Sequence, residues 1–465
     1  MDTQYLFISA GMINSKKAHQ VNHTYLNYGL LNLATIVSEN NNVIFFQGDN
    51  YSPNKLIKLL FERRLIDRDI PIFLSIISYF AVEWAKNFIF FVKKLDSNIK
   101  IIIGGRWILS DKHWSLKNFY NVDLIIYGEA ENIVLDIDNM LEKKKELTYI
   151  DNSKSKNKNA SKSLNYSIVD NFSSFSPCIE LSRGCGFGCA FCADKDVALT
   201  SNKEPSLLLK EIKSIIELYN DEKLNFYFQS SIFTVPPKWA EKFARLYYKN
   251  NFQFSWRAET RADINLTRET IEDLSKSGLK VFDIGLESAS PKQLRAMNKS
   301  QNPERYLEKA SKLFKLCYEN NIWVKVNVMF YIGETRETIK ETRTFLDKHK
   351  KYIKGISAYP MIIYNTDSYA HDFLNEIRSK GSSAINGKIE ENGITEINFS
   401  EDLTNIEAKE EALKLSRRYM SQKDYYDLKL FSYFPRGYKY KDFQDNYKDI
   451  DEKNLPFFKD TVKEK

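Results

Sequence analysis

Cysteine and histidine are scarce in this 465-residue chain, with 5 of each. So few thiols exclude the disulfide framework of a small secreted fold, and their clustering fits a reducing compartment better. Long apolar runs are missing too. The longest, Ile70 to Val82, covers about 13 residues and is broken by Pro71, Ser75 and Ser78, well short of the roughly 20 that a membrane helix needs. The start, Met1-Asp2-Thr3-Gln4, lacks the basic end, apolar stretch and small-residue cleavage site of a secretory signal. A cytoplasmic location is the expectation. Nor is one sign of charge dominant: 68 basic against 61 acidic residues leave +7. Without a long arginine-rich or aromatic-interleaved patch, no nucleic-acid partner is expected.

What is present is core-forming material: 43% hydrophobic residues, with 31 Phe and 27 Tyr. The length suggests about three domains, although a barrel alone takes 200 residues or more. Residues 1–142 alternate strand and helix patterns. Tyr5–Ser9, Val43–Phe46, Ile72–Ile77, Ile101–Ile103 and Leu124–Tyr127 read as buried strands, and Trp84, Phe88, Phe91, Val92 and Leu95 stripe a helix. Such alternation predicts an α/β, doubly wound parallel sheet of Rossmann type. Its ligands bind beyond the carboxyl ends of the strands. Residues 143–175, rich in Lys, Asn and Ser, read as a polar linker. From 176 to 363, strands near Cys178–Ser182, Asn225–Gln229, Gln253–Ala258, Val281–Leu286, Trp323–Phe330 and Gly355–Ile363 predict a partial (β/α)6 barrel with chemistry at its carboxyl ends. Residues 364–465 read as a small, mostly helical region that caps the substrate.

The chemistry-bearing stretch is Gly184-Cys185-Gly186-Phe187-Gly188-Cys189-Ala190-Phe191-Cys192, directly after the first barrel strand. Three thiolates on one loop can bind three irons of a 4Fe–4S cluster and leave the fourth iron open. Zinc would want four protein ligands, and no fourth Cys or His lies nearby. Cys178 and Cys317 read as small core residues.

Cys-x3-Cys-x-Phe-Cys in this position resembles the radical S-adenosylmethionine (SAM) enzymes, and the preceding sheet is similar to the subgroup with a cobalamin-binding domain. The resemblance covers residues 5–363. It implies that Cys185, Cys189 and Cys192 hold the cluster, that SAM chelates the open iron, and that Phe191 lies near the adenine. Trp256-Arg257-Ala258-Glu259-Thr260-Arg261 resembles the family's third-strand segment, where Glu259 and Arg261 would meet the charged end of SAM. Gly285-Leu286-Glu287-Ser288 matches its fourth-strand stretch, where Glu287 and Ser288 would contact ribose or amine. The chain departs from the pattern after its fifth strand. Tyr331-Ile332-Gly333-Glu334-Thr335 lacks the usual early Gly and Pro, and Gln229-Ser230-Ser231 stands where relatives often carry Asp.

In the first domain, Ile103-Gly104-Gly105-Arg106-Trp107 and Tyr127-Gly128-Glu129 resemble the strand ends of cobalamin domains. Gly104, Gly105 and Gly128, with Glu129, would let backbone approach the cofactor. Ser75, Ser78 and Trp107 are candidates to cover its lower face, since no Asp-x-His-x-x-Gly motif supplies a histidine. The resemblance implies SAM cleavage to a 5′-deoxyadenosyl radical, fed by a low-potential donor such as flavodoxin or ferredoxin. The radical would take hydrogen from a small-molecule or peptide substrate. Methylation of an unactivated carbon through cobalamin is the leading expectation. Radical rearrangement, cyclisation or oxidation is the alternative within enzymes, and a non-catalytic cofactor-binding or assembly protein the alternative outside them. Too few cysteines remain for auxiliary clusters, which argues against methylthiotransferases.

Overall fold

The computed structural model describes residues 4–12, 26–108, 111–142, 147–155, 163–192, 194, 195, 197–364, 368–385, 394–431 and 433–459. The chain divides into two compact units, with the boundary between Phe175 and Ser176.

The first unit is built on β1 (Gln4–Ser9), β2 (Asn42–Gln47), β3 (Ile72–Ser75), β4 (Ile101–Gly104), β5 (Leu124–Tyr127) and β6 (Thr148–Asp151). They form one sheet in the order β2-β1-β3-β4-β5-β6, and every pairing is parallel. Phe7, Ile8, Ile101, Ile103 and Ile125 are fully enclosed, as strands must be when helices cover both faces. The order reverses between β1 and β3, which opens a crevice at the carboxyl edge.

The stretch read as a linker is structured where it is described. Its residues 148–151 are β6, paired with β5. Val169 bridges Phe45, and the Asp170 carboxylate accepts from Arg63 at 2.7 Å and the Tyr51 hydroxyl at 2.9 Å. The polar composition misled because a half-exposed edge strand needs little apolar sequence. Lys143 to Glu146 and residues 156–162, the most linker-like of all, lie outside the described residues.

The second unit holds β7 (Cys178–Glu180), β8 (Asn225–Gln229), β9 (Ser255–Arg261), β10 (Leu279–Glu287), β11 (Trp323–Phe330) and β12 (Ile353–Pro360). They pair in simple sequence order, all parallel. This is the expected run of barrel staves. Alternation puts Arg257, Glu259 and Arg261 of β9 on one face, in register with Val281, Asp283 and Gly285 of β10.

The C-terminal part divides in two. A small antiparallel sheet of β13 (Ile362–Tyr364), β14 (Ser383–Ala384) and β15 (Ile394–Asn398) reaches the carboxyl end of β11, where the Gly333 amide donates to the Phe399 carbonyl at 3.1 Å. The helices Asn405–Tyr419 and Gln422–Leu430 pack elsewhere. Ser416 Oγ accepts from the Ala358 amide at 3.0 Å along the edge strand. Lys354, at the amino end of β12, pairs with Asp424 at 2.7 Å and Asp427 at 3.3 Å. Among the described residues, the small sheet is thus the C-terminal element that meets the carboxyl end of β11. Among the described residues, no helix is long and apolar enough to cross a membrane.

Candidate active site

The three-cysteine loop leaves β7 without regular secondary structure, so other contacts must fix it. The Cys185 and Gly186 amides both donate to the Val197 carbonyl, at 3.0 and 3.1 Å, and the Ala190 amide to Met297 at 2.8 Å. Asn298 Nδ2 holds the Gly188 carbonyl at 2.7 Å. Gly184, at φ +72°, lets the loop fold back on itself: a Cβ there would stand 2.1 Å from the Ala198 carbonyl oxygen. Cys189 is buried, while Cys185 and Cys192 are partly open. Burial pushes the Cys185 and Cys192 thiols up; at Cys185 the Phe187 amide, Arg261 and Lys299 act against it.

Arg261 ends β9 beside this loop. Its Nη1 donates to Cys189 Sγ at 3.0 Å, its Nε to Asp263 at 2.9 Å, and its Nη2 to the Lys299 carbonyl at 2.7 Å. Its guanidinium also lies 4.1 Å from the Phe187 ring centre. Read from sequence as a partner for a ligand carboxylate, Arg261 spends its donors inside the protein. Beside Glu287 and Phe191 lies another cation, Lys299, which the sequence reading did not single out. It is buried, 3.3 Å from Glu287 Oε1, and 5.7 Å from the Phe191 ring centre. No periodicity marks it, because it follows the short helix Pro291–Ala296 in a turn.

Glu287 is held in an unusual backbone state, φ +63°, where β10 bulges between Gly285 and Glu287. A bulge re-aims a side chain at a strand end, and such strain gathers at functional sites. The carboxylate folds back over Gly285, where a Cβ would meet Glu287 Oε1 at 2.6 Å. A side chain there would displace the carboxylate. Oε2 of Glu287 is buried and accepts no hydrogen bond among the described residues. Ser288 points elsewhere: its Oγ lies 3.1 Å from Thr342 Oγ1 and accepts from the Ser290 amide at 3.1 Å. Phe191 meets Tyr331 edge-on at 6.4 Å. Glu259 Oε1 accepts from the Tyr227 hydroxyl. Tyr359, at the end of β12, has its hydroxyl pushed up by desolvation and then by Glu287 and Glu259, which face it.

The first unit has a site of its own. A cavity of about 550 Å³ opens at the carboxyl ends of β3, β4 and β5, with Ser75, Gly104, Gly105, Gly128 and Glu129 in its wall beside Leu33 and Ile103. Gly105 has φ +103°, and a Cβ would meet the Ile76 amide and Ser75 Oγ at 2.7 Å. Ser75 Oγ accepts from Asn27 Nδ2 at 3.0 Å. Ser78 and Trp107 lie outside that wall: Ser78 caps a short turn through the Phe80 amide, and Trp107 is buried against Tyr79.

Residues 179–346 match the sequence profile of the Radical SAM superfamily. The chain carries a radical SAM domain. The domain begins in β7 and ends in the helix after β11. An uncharacterised methyltransferase of Pyrococcus horikoshii is 22% identical over 351 residues, covering 69% of this chain and 72% of its own length. Among solved structures, the radical SAM methyltransferase TsrM from Kitasatospora setae, with cobalamin and a [4Fe-4S] cluster bound, superposes at a TM-score of 0.62 and 13% identity, covering 88% of this chain and 82% of that one. The cobalamin-dependent radical enzyme OxsB, with aqua-cobalamin and SAM bound, gives 0.66 and 16%, covering 89% of this chain and 65% of that one.

A radical SAM domain uses a 4Fe–4S cluster and SAM, and the residues here suit both. Among the described residues, no three His, Cys, Asp or Glu side chains gather around a point that one ion could occupy. A four-iron cluster has no such need, since each cysteine takes a different iron. Glu287, with a partnerless buried oxygen, and Lys299 beside it offer opposite charges to a zwitterion.

Proposed function

We propose that this chain is a cobalamin-dependent radical SAM methyltransferase acting on an unactivated carbon of a small-molecule or peptide substrate. What carries the reading is that one chain builds both halves of the requirement. A three-thiol loop stands beside a buried carboxylate–ammonium pair in the second unit, and a glycine-walled cavity opens at the carboxyl edge of the doubly wound sheet in the first. The likeness to TsrM and OxsB supports it.

In this reading Cys185, Cys189 and Cys192 each hold one iron, and Phe191 flanks the adenine. Glu287 Oε2 receives the SAM ammonium and Lys299 its carboxylate. Glu259, half-buried on β9, adds negative charge for the sulfonium. Gly104, Gly105, Gly128 and Glu129 border the nucleotide end of the corrinoid, with Ser75 in the cavity wall. Bound together, these groups supply an electron to SAM and a methyl group from cobalt. The protein's part is to orient the reactants and exclude water. A low-potential flavodoxin or ferredoxin is the proposed electron source.

The test is anaerobic purification with iron, sulfide and corrinoid measured separately. It is followed by a reduced reaction in SAM carrying a deuterated methyl group. Four irons with one corrinoid per chain and a labelled product support the reading. 5′-Deoxyadenosine without labelled product rejects methyl transfer, and zinc in place of iron and sulfide rejects the whole.

A further inference from the structure

Beneath the mouth of the barrel lies an ionic layer whose Arg257, Asp283 and Lys325 the proposed reaction does not use. Arg257 on β9 and Asp283 on β10 are both fully enclosed and paired through Nη2 and Oδ2. Lys325 on β11 takes the other Asp283 oxygen at 2.8 Å. Two cations against one carboxylate in a dry interior is an unbalanced arrangement. Glu259, one step up the same face of β9, adds the second negative charge and acts on Lys325.

Tyr227 joins the layer to Glu259. It sits on β8 opposite Arg257, with its ring 5.0 Å from the guanidinium carbon. Tyr433, from the C-terminal region, approaches the same guanidinium at 5.0 Å, and the Leu428 carbonyl lies 3.5 Å from Arg257 Nη1. The Tyr227 ring rests against this held guanidinium, and its hydroxyl donates to Glu259 Oε1. Glu259 Oε2 takes no hydrogen bond among the described residues.

We infer that Tyr227 is a positioning residue for SAM binding: its hydroxyl fixes the Glu259 carboxylate so that one oxygen is held and the other faces the ligand. This rests on the reading that Glu259 meets the charged end of SAM. A free glutamate must lose rotamer freedom on binding, and a carboxylate already held by a clamped phenol has lost it beforehand.

The experiment uses the whole chain, reconstituted anaerobically, with SAM binding measured by equilibrium dialysis and cluster content by iron and sulfide. Tyr227→Phe keeps the ring over Arg257 and removes only the hydroxyl. We expect SAM affinity to fall about five-fold, with cluster content and melting temperature unchanged. Glu259→Gln keeps an acceptor for the Tyr227 hydroxyl but loses the charge, so it should weaken binding further, and the double variant should equal Glu259→Gln alone, because no charge is then left for the hydroxyl to position. Normal affinity in Tyr227→Phe alongside a weakened Glu259→Gln overturns the role of Tyr227 and leaves that of Glu259 standing. Independent, additive losses in the double variant overturn it too. Unchanged affinity in Glu259→Gln removes both. Should Tyr227→Phe fail to accumulate, Tyr433→Phe, which keeps the outer ring, separates loss of the clamp from loss of fold: reduced accumulation there as well would assign the pair to stability and overturn the proposal.

Discussion

Arg261 donates to the sulfur of Cys189 across 3.0 Å, from the end of one barrel strand to the middle of the cysteine loop. Hydrogen bonds to ligating sulfur and nearby positive charge raise a cluster's reduction potential. Arg261→Gln removes the charge and shortens the reach. The reconstituted cluster is then expected to become harder to reduce, on the order of tens of millivolts, in a redox titration followed by electron paramagnetic resonance. An unchanged potential would separate Arg261 from the cluster.

Glu334 titrates in an unusual range. Desolvation pushes its carboxyl up to about 8, against the Thr338 hydroxyl and the Tyr331 amide, which favour the ionised form. Its ordinary value is 4.5. The folded state therefore holds a proton that the unfolded chain gives up. The stability this provides is whole below pH 4.5 and is lost as pH rises toward about 8. Urea midpoints should fall between pH 5 and 8, by roughly 2–4 kcal/mol in free energy from this group. Glu334→Gln should flatten that slope, and an equally steep slope in the variant would assign it to other groups.

Asp283 is the shared counter-charge of Arg257 and Lys325. Asp283→Asn leaves an enclosed guanidinium and a largely buried ammonium facing an amide, at a cost of about 3–5 kcal/mol. Burial already lowers the Lys325 pKa, so its deprotonation offsets part of that cost. The cost should therefore shrink as pH rises, which denaturation at two pH values checks. A pH-independent loss would show that Lys325 stays charged.

Gly105 cannot carry a side chain without displacing Ser75 or Ile76. Gly105→Ala combines a left-handed backbone with that clash and should cost about 1–3 kcal/mol. It should also lower the corrinoid retained on purification, while iron and sulfide, held by the other unit, stay at wild-type levels. Full corrinoid retention would place the ligand away from this wall.

Much of the barrel is plain in the chain itself. Asn225–Gln229 and Trp323–Phe330 have in the structure the bounds read from the sequence. Gly355–Ile363 was read as one strand, but it breaks after Pro360, where its partner β11 ends at Phe330 and the chain turns to pair with β15. The helical stripe of Trp84 and Phe88 is likewise legible, because a helix repeats its contacts every three or four residues. The strand Thr148–Asp151 was not, since a strand at the margin of a sheet borrows its stability from one neighbour and shows no strong pattern.

The amino-acid order alone settled which chemistry to look for: three thiols within eight positions, a Phe before the last, and a Gly-Leu-Glu-Ser stretch farther on. Those signals are local, and short spacing is information that a linear chain keeps. Only tertiary folding decided that Arg261 serves a sulfur, that Lys299 comes to Glu287 from beyond a helix, and that Tyr227 reaches Glu259 from the adjoining strand. Each of those meetings depends on strand register and on which face a side chain takes, and neither is written at any single position.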